Sequence, residues 1–268
     1  MNSNDRHFRA LHAGPKLLIL PNAWDAGSAR VIESAGAKAI ATSSAAVAWA
    51  HGYPDGQFVP FGTLLATLGE IVRIVRIPVS ADIESGYAAT ATEIEDRIAR
   101  VVGAGAVGVN IEDGTSPPDL LCAKIERAKA VAARAGVDLW VNARVDVYIR
   151  KQASGQAAFD ETVRRAALYR GSGADSIFVP ALVDGDTIAH MVSLIGLPFN
   201  ALAWPGLPDA AWLESFGVRR LSAGGGLAKA SLDRTFRLAN AFLADGRVEA
   251  LNDPPAILPR VNDLMHRG

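Results

Sequence analysis

The chain has 268 residues, of which 50% are hydrophobic, and its formal net charge is −1 at pH 7. This length can bury a large core, and we expect one domain that spans residues 1–268. A near-neutral charge without runs of like charge argues against nucleic acid and membrane surfaces as partners. The single cysteine, Cys122, rules out a disulfide framework and fits a cytoplasmic protein. No apolar run reaches the roughly 20 residues of a membrane span.

Short apolar runs alternate with helical stretches along the whole chain. We predict strands at residues 16–22, 37–44, 77–84, 107–113, 138–146, 175–181, 198–203 and 218–224. These runs lack polar alternation, which is typical of parallel strands covered on both faces. Glycines such as Gly36 and Gly105 mark helix-to-strand junctions, because glycine adopts the left-handed helix-ending conformation at little cost. The pattern predicts an α/β fold, a (β/α)8 TIM-type barrel.

A doubly wound open sheet is the alternative fold. No G-x-G-x-x-G motif follows the first predicted strand, and this argues against the alternative. The C-terminal segment, residues 251–268, combines turn residues with an apolar stripe. We expect this helical extension to be either a cap on the barrel or a contact with another subunit.

Polar side chains follow several predicted strands, where the active sites of (β/α)8 barrels lie. Asp82 and Glu84 end the third predicted strand and share one side of it, because residues i and i+2 point the same way. Glu112 ends the fourth strand and Arg144 the fifth. Three converging carboxylates need protons or cations, and an all-oxygen set suits Mg²⁺ or Mn²⁺. Arg144 offers a planar fork for a substrate carboxylate.

Other polar residues allow more than one interpretation. Asn200, on the seventh predicted strand, is a candidate for substrate binding, and His51 is either catalytic or a solvated loop histidine. We expect Asp113 and Asp146 to be loop or capping acids outside the metal site, and Cys122 to pack in a helix. The main acids could instead form a structural network with Arg144, or serve a retaining glycosidase. A class I aldolase is disfavoured, because no lysine ends a predicted strand.

Four segments resemble motifs of the isocitrate lyase / phosphoenolpyruvate mutase superfamily. They are GYPD (52–55), SADIESGY (80–87), GVNIED (108–113) and NARVD (142–146). Members of that superfamily are (β/α)8 barrels that bind Mg²⁺ and cleave or form C–C or P–C bonds next to a 2-oxo acid. The resemblance therefore implies a small 2-oxo acid as substrate, and a homodimer or homotetramer that often exchanges a helix between subunits.

The resemblance also implies roles for individual residues. Asp82 would bind the metal directly, and Glu84 and Glu112 would bind it through water, although the family usually has aspartate at the position of Glu84. Asp55 would approach the metal as a catalytic residue. The substrate-binding residues would include Trp24, Ser43, Ser44, Ala45 and Arg144.

Two departures from the superfamily pattern narrow the expected reaction. The K-[KR]-C-G-H gating loop is absent, and the corresponding segment reads EDGTSPPDLLCAKIE. The sixth predicted strand ends FVPAL, without the glutamate or histidine that the family usually has. Both departures argue against cleavage of isocitrate or 2-methylisocitrate. We therefore predict a Mg²⁺-dependent carbon–carbon lyase that forms an enolate, with decarboxylation of an oxaloacetate-like acid favoured. The alternatives are P–C chemistry on a phosphonopyruvate-like substrate, and a non-catalytic protein that binds 2-oxo acids.

Overall fold

A computed structural model of the protein describes residues 3–252 and 260–266. At its centre is a nine-stranded sheet in which every pairing is parallel. The strands are β1 (Leu18–Leu20), β2 (Asn22–Ala23), β3 (Ile40–Thr42), β4 (Val79–Asp82), β5 (Gly108–Glu112), β6 (Trp140–Arg144), β7 (Ser176–Phe178), β8 (Phe199–Leu202) and β9 (Arg220–Ser222). All eight predicted strands are present, and the first of them is divided into β1 and β2.

The divided first strand closes the sheet into a barrel. Pro21 separates β1 from β2, and proline has no backbone N–H to donate to a neighbouring strand. β1 pairs with β9, with Leu18 opposite Arg220, whereas β2 pairs with β3, with Asn22 opposite Ala41. The two ends of the strand order thus meet at one proline. This arrangement confirms the predicted (β/α)8 barrel and excludes the open sheet.

Helices surround the barrel and bury their apolar faces against it. They are α1 (Ser3–Ala13), α2 (Ala26–Ser34), α3 (Ser44–Ala50), α4 (Phe61–Ile74), α5 (Ile94–Gly103), α6 (Pro118–Arg134), α7 (Gly155–Gly171), α8 (Gly185–Ile195), α9 (Ala210–Ser215), α10 (Gly226–Asp245), a 3₁₀ helix (Glu249–Asn252) and α11 (Val261–Met265). The pattern of α5 is representative, because Ile94, Ile98 and Val101 recur on one face and are fully buried. In the described part of the chain, no helix is long and apolar enough to cross a membrane.

The first helix, which the sequence analysis did not predict, closes the N-terminal end of the barrel. Phe8 of α1 is fully buried in an apolar cluster inside the barrel. The cluster also contains Leu18, Leu20, Ala39, Ala41, Val107 and Trp140. Asp5 accepts a hydrogen bond from the N–H of Asp138 just before β6 (3.1 Å), and Arg9 lies 3.0 Å from Asp175 just before β7. Because this end is closed, the opposite end, where the strands terminate, is the one open to a substrate.

A layer of buried polar side chains crosses the middle of the barrel. The Asn142 amide donates to the side-chain oxygens of Asn110 (2.8 Å) and Asn200 (2.9 Å). Arg220 is fully buried and reaches from β9 to Asn110 on β5 with an Nη2···Oδ1 distance of 3.1 Å. Its Nε and Nη1 atoms have no hydrogen-bond partner within the described residues. This layer forms the floor beneath the open end of the barrel.

The described part of the C-terminal extension packs against the outer helices. Leu264 of α11 is buried, and its carbonyl accepts a hydrogen bond from Arg30 Nε of α2 (2.8 Å). This contact corresponds to the predicted cap, whereas residues 253–259 lie outside the described part. That the whole chain forms one domain stays a prediction.

Candidate active site

Three neighbouring strands bring the predicted acids and the arginine to the open end of the barrel. Asp82 ends β4, Glu112 ends β5 and Arg144 ends β6, with Glu112 directly opposite Arg144 in the strand register. Glu84 follows β4, and its carbonyl accepts the N–H of Glu112 (2.9 Å). The alternation of side chains along parallel strands therefore places all four side chains at one edge.

Main-chain donors orient both carboxylate oxygens of Asp82. Oδ2 accepts the N–H of Ser44 (3.2 Å) at the start of α3, and Oδ1 accepts the N–H of Glu84 (3.2 Å). The N–H of Asp82 itself donates to Thr42 Oγ1 (2.8 Å). Asp82 is thus the most firmly oriented of the three predicted metal-binding acids.

Glu84 has an unusual backbone and a protonation state that depends on pH. Its φ angle is +50°, in the left-handed region that side chains rarely adopt. The Tyr87 hydroxyl donates to Glu84 Oε1 (2.9 Å), and the glutamate is buried. Burial raises the pKa of Glu84 to about 7, and the negative charges of Asp82 and Asp55 add to this shift. The hydrogen bond from Tyr87 opposes the shift.

Glu112 and Arg144 form an ion pair across the strand register. Arg144 Nη1 lies 2.6 Å from Glu112 Oε2. Burial raises the pKa of Glu112, although the guanidinium opposes this shift. Burial alone would lower the pKa of Arg144, but the carboxylates of Glu112 and Asp146 raise it. Arg144 is therefore held within the protein by Glu112 and Asp146, and its binding of a substrate carboxylate stays a prediction.

Asp146 is a member of the site that the sequence analysis left out. It is fully buried and accepts from Arg144 Nε (2.6 Å) and Arg150 Nε (2.7 Å). Its N–H donates to Asp113 (2.9 Å), which also accepts from the Tyr169 hydroxyl (2.7 Å). Asp113 thus lies in the connection after β5, as expected for a loop acid, and it is buried. The signal for Asp146 was its position two residues after Arg144, on the same side of the chain.

The predicted carboxylate-binding segment at the start of α3 is partly engaged inside the protein. The N–H of Ser43 donates to the Ala23 carbonyl (3.3 Å), and Ser43 Oγ caps α3 by accepting the N–H of Ala46 (3.4 Å). The N–H of Ser44 is engaged by Asp82, as described above. Ala45 lies in the first turn of α3, and binding of a substrate carboxylate by its N–H stays a prediction.

Two further predicted substrate-binding residues lie in different surroundings. Asn200 is fully buried in the polar layer, where its amide donates to Ser222 Oγ (3.1 Å). Its role in substrate binding stays a prediction. Trp24 is half-buried and lines a separate cleft of about 190 Å³ together with Trp49 of α3 and Leu232 of α10.

The loop between α3 and α4 covers one side of the acid cluster. Asp55 lies in this loop on the exposed rim and hydrogen-bonds the Ser44 hydroxyl. Partial burial and the charge of Asp82 raise the pKa of Asp55. The loop is joined to the segment after β4 by a 2.7 Å hydrogen bond from Gln57 Nε2 to Ser85 Oγ. His51 Nε2 instead lies 2.8 Å from the Thr67 hydroxyl of α4, outside the acid cluster.

The acid cluster fits a hydrated Mg²⁺ better than a metal held only by protein atoms. Among the described residues, no three His, Cys, Asp or Glu side chains converge on one point. However, all the donors are oxygens, and burial, with the charges of neighbouring carboxylates, raises the pKa values of Glu84 and Glu112, so a nearby cation would favour their charged forms. Mg²⁺ commonly keeps several waters and binds through one or two carboxylates. The residues therefore fit an ion bound by Asp82 and reached through water by the two glutamates.

The family profile named phosphoenolpyruvate phosphomutase matches residues 8–243. The chain belongs to this family. A member of the family from Mycobacterium tuberculosis, an uncharacterized protein, is 38% identical over 218 residues, which cover 81% of each chain. The oxaloacetate decarboxylase of Pseudomonas fluorescens is 25% identical over 241 residues, and the matched region covers 86% of this chain and 82% of the decarboxylase.

Solved structures confirm the fold of this phosphoenolpyruvate phosphomutase family member. A phosphonopyruvate hydrolase in complex with oxalate and Mg²⁺ superposes with a TM-score of 0.86, covering 97% of this chain and 94% of its own. At 24% sequence identity, this likeness concerns the fold alone. The oxaloacetate decarboxylase named above is a carbon–carbon lyase, which confirms the predicted class of enzyme.

Both predicted departures from the superfamily pattern are visible at the open end of the barrel. Only residues 113–117 separate β5 from α6, so this connection is too short to close over the site as a long lid. The side of the open end formed by β7 is apolar, because this strand ends with Phe178. The centroid of the Phe178 ring lies 6.0 Å from the guanidinium carbon of Arg144. The connection after β5 thus lacks the cysteine of the gating loop, and the end of β7 lacks the glutamate or histidine that the resemblance led us to look for.

Proposed function

We propose that the protein is a Mg²⁺-dependent lyase that cleaves a C–C bond next to a small 2-oxo acid, with decarboxylation of an oxaloacetate-like substrate favoured. The observation that carries this proposal is the row of Asp82, Glu84 and Glu112 at adjacent strand ends, beside Arg144. The similarity to the oxaloacetate decarboxylase supports it. Oxalate resembles the enolate of pyruvate in shape and charge.

The metal would stabilise negative charge as it develops on the substrate, and the acids would hold and orient the metal. Mg²⁺, when bound, would polarise the 2-oxo and carboxylate oxygens of the substrate and so stabilise its enolate form. Asp82 would hold the ion directly, because main-chain donors already fix both of its oxygens. Glu84 and Glu112 would orient the water shell of the ion.

Arg144 and the first turn of α3 would position the substrate carboxylate. The guanidinium is held by Asp146 through Nε (2.6 Å) and Nη2 (3.3 Å), and by Glu112 through Nη1. This triple contact fixes its plane, and its remaining N–H groups are the proposed donors to substrate. The N–H of Ala45 would add a neutral donor from the opposite side.

Decarboxylation suits this site because it needs few acid–base groups. A departing carboxylate requires no base, whereas retro-aldol cleavage needs one to remove a hydroxyl proton. The short connection 113–117 and the apolar ring of Phe178 supply no such base. Asp55, whose pKa is raised, is the proposed acid that returns a proton to the enolate carbon.

We also propose a homo-oligomer, a dimer or a tetramer, because α10 leaves apolar side chains uncovered. In its 20 residues only Ala228 is buried, whereas Phe236 is 67% and Leu243 is 80% exposed. A soluble monomer rarely exposes so much contiguous apolar surface. A second copy of this chain is the proposed cover, and light scattering after size exclusion would measure the assembly. Phe236→Glu should shift the assembly toward monomer, whereas a monomeric wild type would refute this part.

The first experiment is a calorimetric titration of oxalate with and without Mg²⁺. Wild type should bind oxalate only with Mg²⁺, and Asp82→Ala should lose the binding. Asp160→Ala is the matched control, because Asp160 is an exposed acid on α7 away from the site. Absence of Mg²⁺-dependent binding to wild type would overturn the proposal.

A substrate panel then separates the candidate reactions. Oxaloacetate should yield pyruvate and CO₂, whereas phosphate release from phosphonopyruvate would favour P–C chemistry instead. Tight oxalate binding without turnover of any 2-oxo acid would favour the non-catalytic binding protein.

A further inference from the structure

The turn after β4, residues 83–88, has a backbone that its sequence does not favour. Glu84 and Tyr87 both have φ angles of +50°, and Gly86 between them has +99°. Residues with side chains rarely adopt this region, and they persist there only when their surroundings hold them. A Cβ atom at Gly86 would clash with Ile94 of α5, so the turn is also tightly packed.

A buried lysine holds this turn from below. Lys124 of α6 is only 4% exposed, although lysine is almost never fully buried unless paired. Its ammonium donates to the carbonyls of Ser85 (2.7 Å) and Ala88 (2.8 Å). The two carbonyls lie on either side of Gly86 and Tyr87, so the lysine bridges the distorted part of the turn.

The conformation of the turn decides where the Glu84 carboxylate lies. The N–H of Glu84 donates to Asp82, its carbonyl accepts from Glu112, and its side chain accepts from the Tyr87 hydroxyl. These contacts require the positive φ angle of Glu84, because an ordinary φ would turn the side chain and the carbonyl in other directions. Lys124 fixes the neighbouring peptide groups and touches none of the acids.

We propose that Lys124 is a positioning residue, which holds the turn 83–88 so that the Glu84 carboxylate faces the site built on Asp82. This inference rests on the proposed function, because it assumes that the acids bind a divalent cation. Lys124 does not touch substrate or metal. Its effect passes through the Ser85 and Ala88 carbonyls to the backbone of Glu84.

A second lysine on the same helix provides a matched control. Lys129 of α6 also donates to a backbone carbonyl, that of Leu139 (2.7 Å), and pairs with Asp175 (2.9 Å). Both partners lie just before β6 and β7, at the closed end of the barrel. Loss of Lys129 should therefore affect folding but not the open end.

The experiment compares Lys124→Met, Lys129→Met and Lys124→Arg by calorimetry with Mg²⁺ alone and with Mg²⁺ plus oxalate. Residues that orient metal ligands typically change metal affinity by about 10- to 100-fold. We expect Lys124→Met to weaken Mg²⁺ binding by about tenfold or more, and Lys129→Met by less than about twofold. Lys124→Arg, which keeps donors for both carbonyls, should recover most of the affinity.

Hydrogen exchange gives a readout that does not depend on metal or oxalate. The N–H groups of Gly86 and Glu112 donate to the Ile83 and Glu84 carbonyls, so both report directly on the turn. Both N–H groups should exchange faster in Lys124→Met than in wild type, and their exchange rates should be unchanged in Lys129→Met. If the Met variant fails to fold, Lys124→Gln, which keeps a neutral donor, replaces it.

The outcomes separate this inference from the proposed function. Wild-type affinity in a folded Lys124→Met variant, with unchanged exchange of Gly86 and Glu112, would overturn the positioning role and leave the proposed function standing. Failure of wild type to bind oxalate with Mg²⁺ would overturn the proposed function. In that case the exchange rates still decide whether Lys124 holds the turn.

Discussion

His12, at the closed end of the barrel, is expected to make the protein sensitive to acid. The ring is 1% exposed, stacks on Trp140 at a centroid distance of 4.2 Å and packs edge-on against Phe8. Its Nδ1–H donates to the Phe8 carbonyl (2.9 Å), which assigns the proton of the neutral ring to Nδ1. Burial lowers the pKa of His12 to about 3, and the positive charges of Arg220 and Arg9 add to this shift.

The sign of the effect follows from the lowered pKa. An unfolded chain binds a proton at His12 below pH 6.5, whereas the folded chain remains neutral there until about pH 3. The stability that His12 contributes is therefore present above pH 6.5 and is lost as the pH falls. At about 1.36 kcal/mol per pH unit, the loss between pH 7 and 4.5 is roughly 2–3 kcal/mol.

Urea unfolding of wild type and His12→Phe at several pH values measures this term. The phenylalanine ring keeps the stacking and does not titrate, so the variant should lose roughly 2–3 kcal/mol less than wild type over that interval. His7→Phe, an exposed histidine on the same helix, should retain the full wild-type slope. Identical pH slopes in wild type and His12→Phe would refute the reasoning, because His12 would then be protonated in the folded state.

Three further substitutions or conditions test the packing and the charges of the site. Gly86→Ala should lower the free energy of unfolding by about 2–4 kcal/mol, because the added Cβ atom would clash with Ile94. Gly36→Ala is the control, with a similar φ of +98° but open space around it, and should lower it by about 1 kcal/mol. Equal losses in urea unfolding would contradict the clash. Asp113→Asn should lower the stability measured by thermal unfolding by about 3–5 kcal/mol, because it breaks a buried ion pair with Arg165. Glu161→Gln removes a more exposed partner of the same arginine and should lower the stability by less than about 1 kcal/mol. Mg²⁺ affinity should rise between pH 6 and 8 with proton release, because the pKa of Glu84 is raised to about 7; calorimetry showing a constant affinity would contradict this shift.

The sequence predicts the barrel well because its strands carry a local signal. Buried parallel strands are apolar throughout, and glycine or polar residues mark their ends. The acids at the open end follow from the same pattern, since Asp82 and Glu84 occupy positions i and i+2 after an apolar run. Their meeting with Glu112 needs only the rule that sequential parallel strands are neighbours.

The features that the sequence does not predict depend on depth and on long-range contacts. Asn200 and Arg144 look alike from their strand positions, yet one lies a layer below the other, and the register that decides this is set by the whole barrel. The contact of Arg144 with Glu112 depends on the register between β5 and β6. α1 is amphipathic and short, and its place inside the barrel follows from distant contacts with Asp138 and Asp175.

Pro21 lies between β1 and β2, which stand at the two ends of the strand order, so the backbone at Pro21 connects the two edges of the sheet. No ladder pairs β1 with β2, and closure rests on three paired positions with β9 and two with β3. A chain cut at Pro21 would keep every strand pairing, so a circular permutant opened there should retain its ladders. The two edges would still be joined by Asn22 of β2, whose side-chain oxygen accepts the N–H groups of Ala223 (2.9 Å) and Gly224 (2.8 Å) just after β9. The peptide bonds at Pro21 and these two hydrogen bonds therefore set the offset between the edges, and with it the relative height of the strand ends that carry the acids.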